Sequence, residues 1–301
     1  LRSHLLAATA AVVLLAAPYV AAHAGGRVAL VIGMSGYRHA PSLKNPANDA
    51  KDVSTALREL GFAVTEAVDL DKRSLDEAVR AFAHRIAGAD AALMFFGGHG
   101  LQVAGQNYLL PVDAKLESER DLDFETVRLE FILRQMESGR DGKISIVMID
   151  ACRDNPLARN LARSMGVRSD AFPRGLAPVQ SGAGMFVAFS TQPGNVAYDG
   201  QGRNSPFAAA LLRNIRTDGR GLNALMIDVR KDVMSATGGR QVPWEHSALT
   251  EEFRFQSPAG ITTGSIPSSA PSTAEDARRE ERTRRLDEEL GRPPAPTAGG
   301  R

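Results

Sequence analysis

Two short segments carry side chains able to make and break covalent bonds. Gly98-His99-Gly100 follows an apolar run at 91–96, and Asp150-Ala151-Cys152-Arg153 follows another at 144–149. Cys152 is the single cysteine, so it has no partner in the chain for a disulfide and no second thiol for a cysteine-rich zinc site. A thiol is a weak nucleophile until it loses its proton, and a positioned imidazole can take that proton and return it to a leaving amine. Of six histidines, His99 alone follows a buried strand and sits among glycines, whereas His39, His84 and His246 fall in a polar loop, a helix and a polar terminal segment. Taken singly, a buried cysteine is most often a small core residue and a histidine a structural one. Found together, each at the carboxyl end of an apolar run, they point to a nucleophile and its base. The glycines leave room for a substrate backbone, and the Gly100 amide is a candidate donor to a developing oxyanion.

Bringing the two segments together requires neighbouring strands. Apolar stretches rich in β-branched residues alternate with helix-period stretches, the order of an α/β fold with a mostly parallel central sheet flanked by helices. The pattern predicts strands at 28–33, 62–68, 91–96, 144–149 and 185–190. Helices are expected at 48–60, from a capping box at 74–77 to about 87, and at 125–136, 207–215 and 222–234, with a hairpin around 105–111 and an edge strand at 253–255. Ligands of open parallel sheets bind outside the carboxyl ends of the strands, where both segments would project.

The chain has 301 residues, 43% hydrophobic and 24% charged, enough for a large core and unlike a disordered or multi-span membrane protein. Its 36 Lys and Arg against 35 Asp and Glu leave a net charge of +1, which provides no field for nucleic acid or anionic lipid. Arg2 and His4, an apolar run at 5–17 and Ala22-His23-Ala24 have the layout of a secretory signal peptide over 1–24. That predicts a secreted or periplasmic protein, with a membrane contact only if this segment stays uncleaved. Residues 257–301 change to Ser, Thr, Pro and Gly around a charged block, and are expected to form a disordered low-complexity tail.

The histidine and cysteine segments, in their strand and helix order, resemble the caspase-like cysteine peptidases, in particular the bacterial metacaspase and paracaspase-like branch. The resemblance runs from about residue 27 to 255, and the 53 positions from His99 to Cys152 are close to the roughly 50 of caspases. It implies a catalytic domain over 25–256, with a larger portion at about 25–157, a linker at about 158–183 and a smaller portion at about 184–256. By this resemblance His99 is the general base and Cys152 the nucleophile, with the amides of Gly100 and Cys152 forming the oxyanion hole. Caspases that cleave after Asp carry Gln where this chain has Asp150. Metacaspase-like enzymes carry Asp there and a second Asp in an Asn-Asp-Ala segment, here Asn48-Asp49-Ala50.

Asp49 and Asp150 are thereby expected to line the first specificity pocket. Two carboxylates in a concave pocket repel an acidic side chain and pair with Arg or Lys, which predicts cleavage after basic residues. Asp49 reads equally as an acidic residue favoured at a helix start, and the two roles are compatible. Many metacaspases have Ser where this chain has Gly97. Arg159, Arg163, Arg168 and Arg174 in the linker are candidate self-cleavage positions, and also read as a basic solvated loop.

The implied partner is a protein or peptide substrate with Arg or Lys at the cleavage position, not nucleic acid. No metal site or cofactor is predicted, and calcium activation stays open because scattered acids define no coordination shell. Two other classes compete with the peptidase. A catalytically silent caspase-like binding domain is disfavoured by the intact His99 and Cys152. A flavodoxin-like nucleotide binder, suggested by Gly33-Met34-Ser35-Gly36, lacks the glycine and lysine patterns of phosphate loops.

Overall fold

Strand β1 (Arg27–Gly33) is buried from Ala29 to Gly33, as a central strand covered on both faces must be. It opens a computed structural model that describes residues 26–151 and 175–256. Helix α1 (Pro46–Glu59), β2 (Phe62–Val68), α2 (Lys72–Ile86) and β3 (Ala91–Gly97) follow in βαβ order. A small antiparallel sheet of β4 (Gly100–Val103), β5 (Gln106–Leu109) and β6 (Val127–Arg128) comes next, with α3 (Leu122–Glu125) leading into β6 and α4 (Leu129–Glu137) leaving it. The rest comprises β7 (Ile144–Asp150), β8 (Met185–Phe189), α5 (Pro206–Asn214), α6 (Leu222–Thr237) and β9 (Trp244–Ser247).

The main sheet has the order β2-β1-β3-β7-β8-β9, parallel except for the antiparallel edge strand β9. The direction of strand addition reverses between β1 and β3, where open α/β sheets form a crevice. Gly33, Gly97 and Asp150 stand level across three neighbouring strands. Strand side chains alternate between faces. Ile32, Phe96 and Ile149 therefore pack with α2 and α4 through residues such as Val79 and Ile132, while Val31, Phe95 and Met148 pack with α1, α5 and α6 through Val53, Phe207 and Val229. On this alternation Asp150 falls on the α1 and α5 side.

Several boundaries differ from expectation. Helix α2 starts two residues before the expected capping box, because Asp71 is its N-cap and accepts from the Ser74 amide at 2.8 Å. The stretch expected as one helix at 125–136 is broken, since Val127 and Arg128 pair with Leu109 and Tyr108 as a strand. At 253–255 only a bridge from Arg254 to Gly221 forms, and the sheet edge is β9 instead. The described end of the expected linker is not a solvated loop. Leu176, Ala177 and Val179 are buried, and Ala177 exchanges hydrogen bonds of 2.6 and 3.0 Å with the Asn107 side chain.

Candidate active site

His99 follows β3 at the reversal of strand order, and two neighbours fix it. Its backbone amide donates to Tyr37 Oη at 2.7 Å, and that hydroxyl donates to the Leu110 carbonyl at 3.3 Å. The Tyr37 and His99 rings lie 4.4 Å apart at 52°. Its Nε2 lies 2.9 Å from the Pro41 carbonyl oxygen. A carbonyl only accepts, so Nε2 carries the hydrogen, and in the neutral ring Nδ1 keeps the lone pair required of a base. His99 is 2% exposed, a setting in which such hydrogen bonds hold one ring orientation.

The histidine and cysteine segments are joined through their backbones. The Gly98 amide donates to the Asp150 carbonyl at 3.2 Å, extending the β3–β7 ladder beyond the strands. A Cβ on Gly100 would stand 3.1 Å from that of Ala151, so the two chains touch one residue past His99 and one residue before Cys152. Cys152 itself lies outside the described residues, as do Arg159, Arg163, Arg168 and Arg174. The signal peptide expected at 1–24 and the tail expected at 257–301 also lie outside them.

Asp49 and Asp150 converge on Ser205. Both carboxylates are fully buried, Asp49 in the first turns of α1 and Asp150 at the end of β7. The Ser205 amide donates to Asp49 Oδ1 at 3.1 Å, and its hydroxyl donates to Asp150 Oδ2 at 2.5 Å. Asp49 thus sits in the first turn of α1, where an acidic side chain is favoured, and also reaches across to the start of α5. This approach needs Gly33 to be a glycine, because a Cβ there would lie 2.2 Å from the Pro46 carbonyl oxygen at the head of α1.

The wall of this acidic spot is the segment between β8 and α5. Asp199 accepts from the amides of Lys44 at 2.7 Å and Asn45 at 3.4 Å, and its carbonyl accepts from Asn45 Nδ2 at 2.5 Å. Arg203 forks onto Asp52 of α1 at 2.8 and 2.9 Å. The Arg203 hydrogen bond, ahead of any other influence, holds the Asp52 carboxyl below the usual aspartate range. Sequence reasoning expects 190–204, ahead of a helix opened by Asn204-Ser205-Pro206-Phe207, to supply the other wall of the crevice, but it gives no residue there a named role, although Ser205-Pro206 is a serine cap followed by a first-turn proline. Pro41 and Tyr37 also escaped it, since a backbone carbonyl leaves no mark in residue type. Among the described residues no cluster of three or more His, Asp or Glu could hold a metal ion.

A family model described as the caspase domain matches residues 26–254. The Homo sapiens mucosa-associated lymphoid tissue lymphoma translocation protein 1 is 32% identical over 129 residues, covering 42% of this chain and 15% of that protein. Its Mus musculus homologue is 26% identical over 238 residues, covering 77% of this chain and 27% of its own length. The chain thus spans about a quarter or less of these relatives. A crystal structure of caspase-1 from Spodoptera frugiperda matches with a TM-score of 0.58 at 21% identity, over 80% of this chain and 93% of that one, and shares the fold.

Proposed function

The chain belongs to the caspase-domain family, and on that premise we propose that it is a cysteine endopeptidase hydrolysing peptide bonds after Arg or Lys. One observation carries the reading. His99 turns Nε2 to the Pro41 carbonyl, and its flanking glycines are stitched to Asp150 and Ala151, directly before the single cysteine of the chain.

In the proposed reaction, His99 Nδ1 takes the Cys152 thiol proton and the sulfur attacks the scissile carbonyl carbon. The oxygen of the tetrahedral intermediate is received by the amides of Gly100 and Cys152. As the intermediate collapses, the carbon–nitrogen bond breaks and the imidazolium passes its proton to the departing amine. Water, deprotonated by the same imidazole, then hydrolyses the thioester and restores the thiol. Asp49 and Asp150 supply the negative charge that attracts a basic side chain into the first pocket. Self-processing at Arg159, Arg163, Arg168 or Arg174 and export through residues 1–24 belong to the same proposal.

The test is hydrolysis of a peptide library by the purified protein, beside Cys152→Ala, in calcium and in chelator. Cleavage after Arg or Lys that disappears in the variant is expected, and the two solutions reveal any metal requirement. Cleavage that survives Cys152→Ala would remove the nucleophile assignment.

A further inference from the structure

We propose that Ser205 is the positioning residue of the acidic pocket, holding Asp49 and Asp150 together as a doubly charged receptor for a basic substrate side chain. The inference rests on the proposed peptidase reading and assigns that pocket a third member.

The hydrogen-bond count carries the argument. A serine hydroxyl has one hydrogen and two acceptor sites. The Ala208 amide, in the first turn of α5, donates to Ser205 Oγ at 2.9 Å. The hydroxyl hydrogen goes to Asp150 Oδ2 at 2.5 Å, while the Ser205 amide goes to Asp49 Oδ1 at 3.1 Å. One fully buried residue thus donates to two carboxylates from different elements, and its own helix fixes which way the hydroxyl points.

Two carboxylates buried side by side tend to share a proton, which would halve the charge presented to a substrate. Donors aimed at each, together with the positive end of the nine-residue helix α5, favour the fully ionised pair. Other charged groups around the spot are engaged elsewhere. Asp52 of α1 is occupied by Arg203, Asp199 by the Lys44 and Asn45 amides, and Lys44 Nζ by the Gln201 carbonyl at 3.1 Å. Arg203 also senses the Asp49 charge, and His99 follows the neighbouring strand. Ser205 thus couples the two acids, through its amide to Asp49 and through its hydroxyl to Asp150.

Ser205→Gly separates this role from helix capping, because glycine is itself well tolerated at an N-cap while the hydroxyl is gone. Hydrolysis is measured on matched peptides with Arg or the uncharged isostere citrulline at the cleavage position, from pH 5 to 8. The unaltered protein is expected to favour Arg. Ser205→Gly should lose about tenfold of that advantage, the worth of one hydrogen bond to a charged group, through KM with kcat held. The pH below which Arg loses its advantage should also rise.

Ser205→Thr, which keeps the hydroxyl, should restore the preference. Ser205→Cys keeps the shape with a weak donor and should repeat the loss, so a folding defect in Ser205→Gly leaves the test standing. Asp71→Ala removes a comparable cap from α2, which packs on the opposite face of the sheet from α1 and α5, and should leave the Arg-to-citrulline ratio unchanged. A preserved ratio in both Ser205→Gly and Ser205→Cys overturns the role of Ser205 alone. No Arg advantage in the unaltered protein overturns the peptidase specificity and, with it, this proposal.

Discussion

Gly98 and Tyr37 meet with no space between them: a Cβ added to Gly98 would lie 2.7 Å from Tyr37 Oη, the oxygen that receives the His99 amide. Any side chain at 98 therefore displaces the group that seats the imidazole. Gly98→Ala is expected to cost about 1–3 kcal/mol by overpacking, with a fall in kcat larger than the change in KM. Denaturant unfolding and steady-state hydrolysis check both parts.

Tyr37→Phe addresses the same contact without adding volume. It leaves the buried His99 amide without its hydroxyl acceptor, at an expected cost of about 1–3 kcal/mol. Unchanged stability and unchanged hydrolysis would show that the tyrosine only fills space.

At the neighbouring position the opposite outcome is expected. A Cβ on Gly97 would stand 3.5 Å from Phe95 and Pro46, an ordinary contact distance. Gly97→Ser should fold with a stability change within about 0.5 kcal/mol, measured by denaturant unfolding.

The Asp52–Arg203 tie gives the pocket wall a dependence on acid. Asp52 has a folded pKa below its ordinary value, chiefly through the Arg203 hydrogen bond. The tie is therefore fully present above the ordinary aspartate value of about 3.9 and is lost as pH falls through the depressed one. Arg203 is 57% exposed, so solvent screening keeps the contribution small. Protection of the 199–205 amides, relative to intrinsic exchange, should fall as pH drops through that depressed value, and Asp52→Asn should show the lower protection already at neutral pH.

Removing either pocket charge should separate substrates by type. Asp150→Asn or Asp49→Asn is expected to cost Arg and Lys peptides about 2–5 kcal/mol in kcat/KM and uncharged ones far less. Equal losses for both would place these carboxylates in scaffolding.

The central strands were legible because a strand covered on both faces is an unbroken apolar run: β3 was expected at 91–96 and is found at 91–97, buried throughout. Edge strand β9, Trp-Glu-His-Ser, has neither such a run nor a clean alternation and went unread. The break between α3 and α4 was invisible for another reason, since it depends on pairing with Tyr108 and Leu109 far back in the chain. At the site, residue type announced His99 and the two acids, and the structure supplies the convergence of those acids on Ser205. What was missed acts through backbone or through direction: the Pro41 carbonyl, the aim of the Tyr37 hydroxyl and the two-way serine cap.

Arg27, at the start of β1, gives its guanidinium to the carbonyls of Phe255 at 2.5 Å and Arg254 at 3.0 Å while lying over the rings of Phe62 and Phe253. In mechanical terms Arg27 is a buckle between the first strand and the last described segment of the caspase domain, placed at the amino end of the strands and away from the crevice. Trimming either end past it removes one tie between the two, so the domain is expected to tolerate joined termini better than shortened ones.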